Sequence, residues 1–250
     1  MIDLRCGDCY HELPTIADAS VDMVCCDLPY GTTNCRWDTR LDLVWLWPQY
    51  HRIIKPGAPV VLFANQPFTT DLIMSNRPWF RYCWVWDKVL AGGHLNANIR
   101  PLKVTEDIVV FCENAPPFYP QMQRRGAPRW KGGNQGDGDG SDAYGKYGRK
   151  RSQNNTYFPT NLLTFSNGDR TREDSGLHPT QKPVSLCSYL ILTYTQPGAV
   201  VLDNTMGSGT AGVSCVQNDR SFIGIEGDES YFSIAERRIQ HAAAQGALPF

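Results

Sequence analysis

A chain of 250 residues with 42% apolar content and a net charge of −1 is long enough for one well-buried α/β domain, with room for an inserted subdomain but not for two full domains. No run of about 18 apolar residues occurs, and the start "MIDLRCGDCYHEL" has no basic stretch leading into an apolar one. A membrane span and a secretory signal are thereby disfavoured, and a cytoplasmic protein is expected.

Apolar, β-rich runs at 1–6, 21–27, 59–65, 81–86, 107–112, 199–204 and 222–227 predict seven strands. Helical patterns at 42–54, 68–75, 183–195, 208–218 and 229–241 separate several of them. This alternation predicts a doubly wound, mostly parallel sheet with helices on both faces. The nine cysteines are an odd count, and Cys25, Cys26, Cys83, Cys112 and Cys215 lie in or beside apolar runs, as free buried thiols in a reducing compartment do. Cys6 and Cys9 have CxxC spacing, but no second pair or histidine cluster completes four ligands, so no metal is expected.

Residues 113–176 break the pattern. They are polar and glycine-rich, with no sustained apolar period, and divide the chain into 1–112, an insertion at 113–176, and 177–250. Between positions 124 and 151 stand Arg124, Arg125, Arg129, Lys131, Lys146, Arg149, Lys150 and Arg151 against Asp137, Asp139 and Asp142, a surplus of five positive charges. Trp130, Tyr144, Tyr147 and Tyr157 are interleaved with them, a mixture suited to phosphates and bases. A solvated, flexible insertion is the plain alternative for the glycine-rich centre.

Three short stretches carry chemistry. "DLPYG" (27–31) ends an apolar strand with an acid, a proline and an aromatic. Turn formation alone would use such residues. "VVLDNTMGSGTAG" (200–212) reads as strand, glycine loop and helix start, where Gly207 and Gly209 would let backbone N–H groups approach an anionic group. Glu226, ending the next strand, can accept hydrogen bonds from both hydroxyls of a ribose. Gly207, Gly209 and Gly212 also match GxGxxG, so a dinucleotide stays in view, although only about one further βα unit follows. "HPTQKP" (178–183) directly precedes the helix that leads into the glycine-loop strand.

The ordered set "DLPYG", "HPTQKP" and "DNTMGSGT" resembles the beta class of S-adenosylmethionine-dependent DNA amino methyltransferases, as do "WDK" (86–88) and "RPLKVTEDIVVF" (100–111). The resemblance covers nearly all of the chain outside 113–176. It implies a seven-stranded, Rossmann-like methyltransferase sheet in circularly permuted order. The catalytic half would be 1–112, the target-recognition insert 113–176 and the cofactor-binding half 177–250. Asp27, Pro29 and Tyr30 would form the target-base pocket. Asp203, Gly207, Gly209 and Thr210 would surround the methionine portion of S-adenosylmethionine, Glu226 its ribose, Asp8 its adenine, and Gln181 and Lys182 its rim. The basic insert, with Arg124, Arg125, Arg129, Lys131, Arg149, Lys150 and Arg151, would meet double-stranded DNA. A homodimer and a restriction partner stay open.

Leu28 stands where many members of that class carry a second proline, and Asn204 and Thr205 replace a common Pro-Phe. No Pro-Cys dipeptide occurs, so the resemblance is not to the C5-cytosine enzymes. An acid at the first pocket position favours the N6 amine of adenine over the N4 amine of cytosine. Such an amine sits in a flipped-out base, and stacking on Tyr30 would repay part of the flipping cost. Cytosine N4, a noncatalytic nucleic-acid-binding module on this scaffold and a dinucleotide-dependent oxidoreductase are the competing readings.

Overall fold

A computed structural model describes residues 1–31, 39–131, 152–167 and 181–245. The strands are β1 (Ile2–Cys6), β2 (Met23–Cys26), β3 (Val60–Ala64), β4 (Phe80–Gly92), β5 (Lys103–Phe111), β6 (Gln123–Lys131), β7 (Ser152–Tyr157), β8 (Leu162–Thr164), β9 (Val200–Asp203) and β10 (Ser221–Glu226). The helices are α1 (Cys9–Glu12), α2 (Leu43–Ile53), α3 (Phe68–Ser75), α4 (Val184–Tyr194), α5 (Thr210–Gln217) and α6 (Glu229–Gln245). Two compact units result: Met1–Tyr119 with Asn161–Phe250, and Pro120–Thr160.

In the larger unit eight strands form one sheet in the order β1-β10-β9-β2-β3-β5-β4-β8. Five of the seven pairings are parallel; β5 runs antiparallel to both neighbours. The α/β sheet is the one expected, with one strand more. The addition is β8, from the stretch read as insertion; it has three residues, only Leu163 of them buried, too few to leave a period in the sequence. The smaller unit, 120–160, is accordingly narrower than the insertion read at 113–176.

The central strands β2 and β3 are buried at every residue, as expected where helices cover both faces. Their period of two assigns the faces. Val24, Cys26, Val60 and Leu62 join Leu46, Trp47 and Tyr50 of α2 and Phe68 and Leu72 of α3. Met23, Cys25, Val61 and Phe63 join Leu186 and Leu190 of α4, Ala211 and Cys215 of α5, and Ala235 and Ile239 of α6. Helix α2 forms because Leu46, Trp47, Tyr50 and Ile53 make one apolar stripe, and Asp42 caps it by accepting from Val44 N at 2.8 Å.

β2 leads into β3 on one side and β9 into β10 on the other, so the chain reverses direction between the hydrogen-bonded neighbours β2 and β9. Ligands bind at such a switch point, outside the carboxyl ends of the strands. Because β5 runs against β3, its start lies at that same edge, with Asp107 opposite Ala64 and Glu106 opposite Trp86 of β4.

In the smaller unit β6 and β7 form an antiparallel pair from Gln123 opposite Tyr157 to Lys131 opposite Ser152, irregular between Arg124 and Arg129. Pro128, which has no N–H for a ladder, lies within the irregularity. Among the described residues no helix is long and apolar enough to cross a membrane.

Candidate active site

The β2 exit sets one wall. Leu28 is 2% exposed and anchors the turn in the core, which leaves Asp27, Pro29 and Tyr30 lining a cavity of about 870 Å³. The Tyr30 hydroxyl donates to Asp27 Oδ1 at 2.7 Å, and its ring stacks on Phe68 at 5.1 Å. Burial, with Asp27 adjacent, pushes the Tyr30 hydroxyl well above its ordinary pKa, so it remains a donor. Thr205 Oγ1 donates to the Asp27 carbonyl at 3.0 Å.

The opposite wall follows β9 and β10. Asp203 is buried, and that burial raises its carboxyl to about 7 although Thr205 N donates to it at 3.2 Å. Asn204 Oδ1 accepts from the Tyr50 hydroxyl at 2.6 Å and lies 3.4 Å from Cys26 Sγ. Asn204 and Thr205, the departures from Pro-Phe, thus tie the exit of β9 to the exit of β2. At the end of β10, Glu226 accepts from Gly207 N at 2.8 Å through Oε2 and from Asp228 N at 2.9 Å through Oε1. Burial raises the Glu226 pKa, and these amides oppose the shift.

The glycines act differently from what their pattern suggests. Gly207 gives its N–H to Glu226 and Gly209 gives its own to Met206 O at 2.8 Å. Gly209 does not line the cavity. A Cβ on it would stand 2.8 Å from Ala235 Cβ, and one on Gly212 would stand 2.4 Å from Ile239 Cδ1. Those two glycines let α5 pack against α6.

Gln181 and Lys182, directly before α4, are buried and line the cavity. The Lys182 ammonium is paired with Asp27 Oδ2 and lies 3.7 Å from Glu106 Oε2. Lys88 Nζ binds Glu106 Oε1 at 3.0 Å. Burial works against both charges of this cluster, yet Asp27 and Glu106 leave Lys182 with a raised pKa, and Lys182 and Lys88 leave Glu106 with a lowered one. Thr210 and Asp8 line the same cavity, Asp8 as an exposed cap that accepts from Tyr10 N at 2.9 Å.

Of the expected cofactor and base residues, all but Gly209 therefore meet in one cavity. Sequence reasoning misses Lys88, Glu106, Asn65, Asn204, Thr205, Asp228 and Tyr231, all of which line it. Lys88 and Glu106 carry the one available signal, a charge at the end of an apolar strand. Arg124, Arg125, Arg129 and Lys131 fall on β6 in the other unit. Arg149, Lys150 and Arg151, and the "HPT" of "HPTQKP", lie outside the described residues. No group of three or more metal-ligating side chains occurs among the described residues.

A DNA methylase family profile matches residues 21–237. The chain belongs to the DNA methylase family. It is 34% identical to the Type II methyltransferase M.HinfI of Haemophilus influenzae over 94% of this chain and 67% of that one. It is 28% identical to the DNA adenine methyltransferase YhdJ of Escherichia coli K12 over 96% of this chain and 83% of that one. The solved M1.HpyAVI–SAM complex superposes with a TM-score of 0.63 at 22% identity, covering 96% of this chain and 99% of that one. This DNA methylase is thus an enzyme that acts on DNA through an α/β sheet of the expected class.

The cavity fits S-adenosylmethionine, the cofactor that the sequence resemblance implies. Each Glu226 oxygen takes one backbone N–H, leaving further lone pairs for a ribose's two hydroxyls. Asn204 Nδ2 is buried with no hydrogen-bond partner among the described residues. Asp203 and Asp27 line the space with carboxyl groups suited to a cationic sulfonium.

Proposed function

We propose that this methylase transfers a methyl group from S-adenosylmethionine to the N6 amine of an adenine flipped out of double-stranded DNA, and that it works in the cytoplasm. One observation carries the reading: Asp27 and Glu226, the base-side and ribose-side acids, line a single cavity joined by the Thr205 contact to Asp27. The 28% identical relative named a DNA adenine methyltransferase supports adenine over cytosine.

S-adenosylmethionine supplies an electrophilic methyl on a sulfonium. Glu226 would hold its ribose, Asp8 its adenine side, and Asp203, Gly207, Thr210 and Gln181 its methionine side. An exocyclic amine is a weak nucleophile because its lone pair is delocalised into the ring. Asp27, accepting a hydrogen bond from that amine, favours the tetrahedral nitrogen and the positive charge that develops on it. Tyr30 fixes the carboxylate and Pro29 stiffens the turn, so the acceptor is aimed before the base arrives. Direct transfer needs no nucleophilic cysteine. Burial pushes the Cys9 thiol to about 11 and raises the Cys26 thiol well above its ordinary value, which keeps both as unreactive thiols. The basic residues from Arg124 to Arg151 would grip the DNA backbone.

The test is transfer of labelled methyl from S-adenosylmethionine to unmethylated DNA, followed by nucleoside analysis, for wild type and Asp27→Ala. N6-methyladenine from wild type alone, with cofactor binding intact in the variant, is expected. N4-methylcytosine would overturn the target base, and a variant as fast as wild type would overturn the role of Asp27.

A further inference from the structure

Four charged side chains meet beside the exit of β2. Lys182 pairs with Asp27 Oδ2 and stands 3.7 Å from Glu106 Oε2, while Lys88 holds Glu106 Oε1 at 3.0 Å. Side-chain exposure is 9% for Lys182, 13% for Glu106 and 10% for Lys88, against 26% for Asp27. Glu106 Oε2 is nonetheless buried without a hydrogen-bond partner among the described residues. A native structure leaves few such oxygens unsatisfied, and this one faces, 3.7 Å away, an ammonium that already donates to Asp27.

Both oxygens of Asp27 are occupied in this arrangement, Oδ1 by the Tyr30 hydroxyl and Oδ2 by Lys182. The ammonium opposes the work assigned to Asp27. It cancels the negative charge that would favour positive charge on the target nitrogen.

We propose that Lys182 is a movable counter-ion, whose ammonium passes from Asp27 Oδ2 to Glu106 Oε2 when the target base enters. The proposal rests on the reading of Asp27 as acceptor for the target amine. The move frees Asp27 while the Lys182 ammonium stays paired with a carboxylate inside the cavity. It is short, because a shift of about 1 Å brings Nζ from 3.7 Å to hydrogen-bond distance of Oε2. It is mechanically easy, because the lysine stem has four flexible carbons, and the Phe63 ring, 5.2 Å from Nζ, offers its face to the cation. Lys88 fixes the landing carboxylate through its other oxygen. Lys182 and Glu106 are therefore positioning residues, acting through Asp27.

The experiment is steady-state methyl transfer to DNA, with calorimetric S-adenosylmethionine binding, for wild type, Lys182→Met, Glu106→Gln, the double variant and Asp27→Asn. Glu106→Gln removes the charge that draws Lys182 away, so kcat is expected to fall at least about tenfold while KM for DNA and cofactor affinity stay within about twofold. Adding Lys182→Met removes the ion that blocks Asp27, and is expected to recover at least about fivefold of that kcat. Wild-type kcat in Glu106→Gln, or a double variant as slow as the two single losses multiplied, would overturn the proposal. Asp27→Asn separates the two readings: wild-type kcat there means the role of Asp27 itself has failed, whereas an inactive Asp27→Asn beside independent single losses means only the ion movement has failed. If calorimetry finds Glu106→Gln unfolded, Glu106→Asp, which withdraws the landing carboxylate by one methylene, carries the same expectations.

Discussion

Asp27 is held at its carbonyl by Thr205 and at its two carboxylate oxygens by Tyr30 and Lys182, so its aim is set by three neighbours, two of them far away in sequence. Thr205→Val keeps the shape and removes the hydroxyl. It is expected to cost about 1 kcal/mol in urea denaturation, the ordinary net worth of one hydrogen bond, and to lower kcat more than it alters cofactor affinity. Unchanged kinetics would show that the turn holds Asp27 without Thr205. Asp203 makes a second prediction at this scale. Burial lifts its carboxyl from 3.8 to about 7. Because the folded value exceeds the unfolded one, its contribution to stability is complete below pH 3.8 and is lost as pH rises to about 7. Asp203→Asn should therefore gain Tm relative to wild type between those limits and hold a constant difference above them. Parallel Tm curves across the window would contradict the shift.

At the scale of elements, α5 owes its place to Gly209 and Gly212. Gly212→Ala would drive a Cβ to 2.4 Å from Ile239 Cδ1 and 2.7 Å from Phe222 Cε1. Overpacking of this kind costs roughly 1–3 kcal/mol. Gly209→Ala adds a left-handed backbone at φ +77° to its contact with Ala235. Both variants should lower Tm, and a Gly212→Ala protein as stable as wild type would mean that α6 shifts freely. The helices were legible from their apolar stripes; α4, for example, buries Leu186, Cys187, Leu190, Ile191 and Tyr194 at helical spacing. The packing role of the glycines was not legible. A GxG pattern looks the same whether a ligand or a helix presses against it.

At the scale of the whole molecule, charge is uneven while the total is near zero: residues 124–151 hold eight basic and three acidic side chains in a chain of net charge −1. If that segment grips DNA, changing Arg124, Arg125 and Arg129 together to Gln should weaken binding and flatten the slope of log affinity against log salt by up to about 0.9 for each phosphate no longer neutralised. Fluorescence anisotropy over a salt series would measure it, and an unchanged slope would remove these arginines from the interface.

Apolar periods, the order of the short motifs and the basic surplus were local properties, so the sequence by itself determined the α/β alternation, the sheet's class and the acids Asp27, Asp203 and Glu226 at strand ends. The three-residue β8 and the pairing of polar β6 with β7 were beyond it, because neither leaves an apolar period. Only the tertiary structure decided that Lys182 meets Asp27 across 155 positions of sequence and that Asn204 joins Tyr50 and Cys26. Those contacts depend on β2 and β9 lying side by side, and strand order is a long-range outcome that no short stretch of residues encodes.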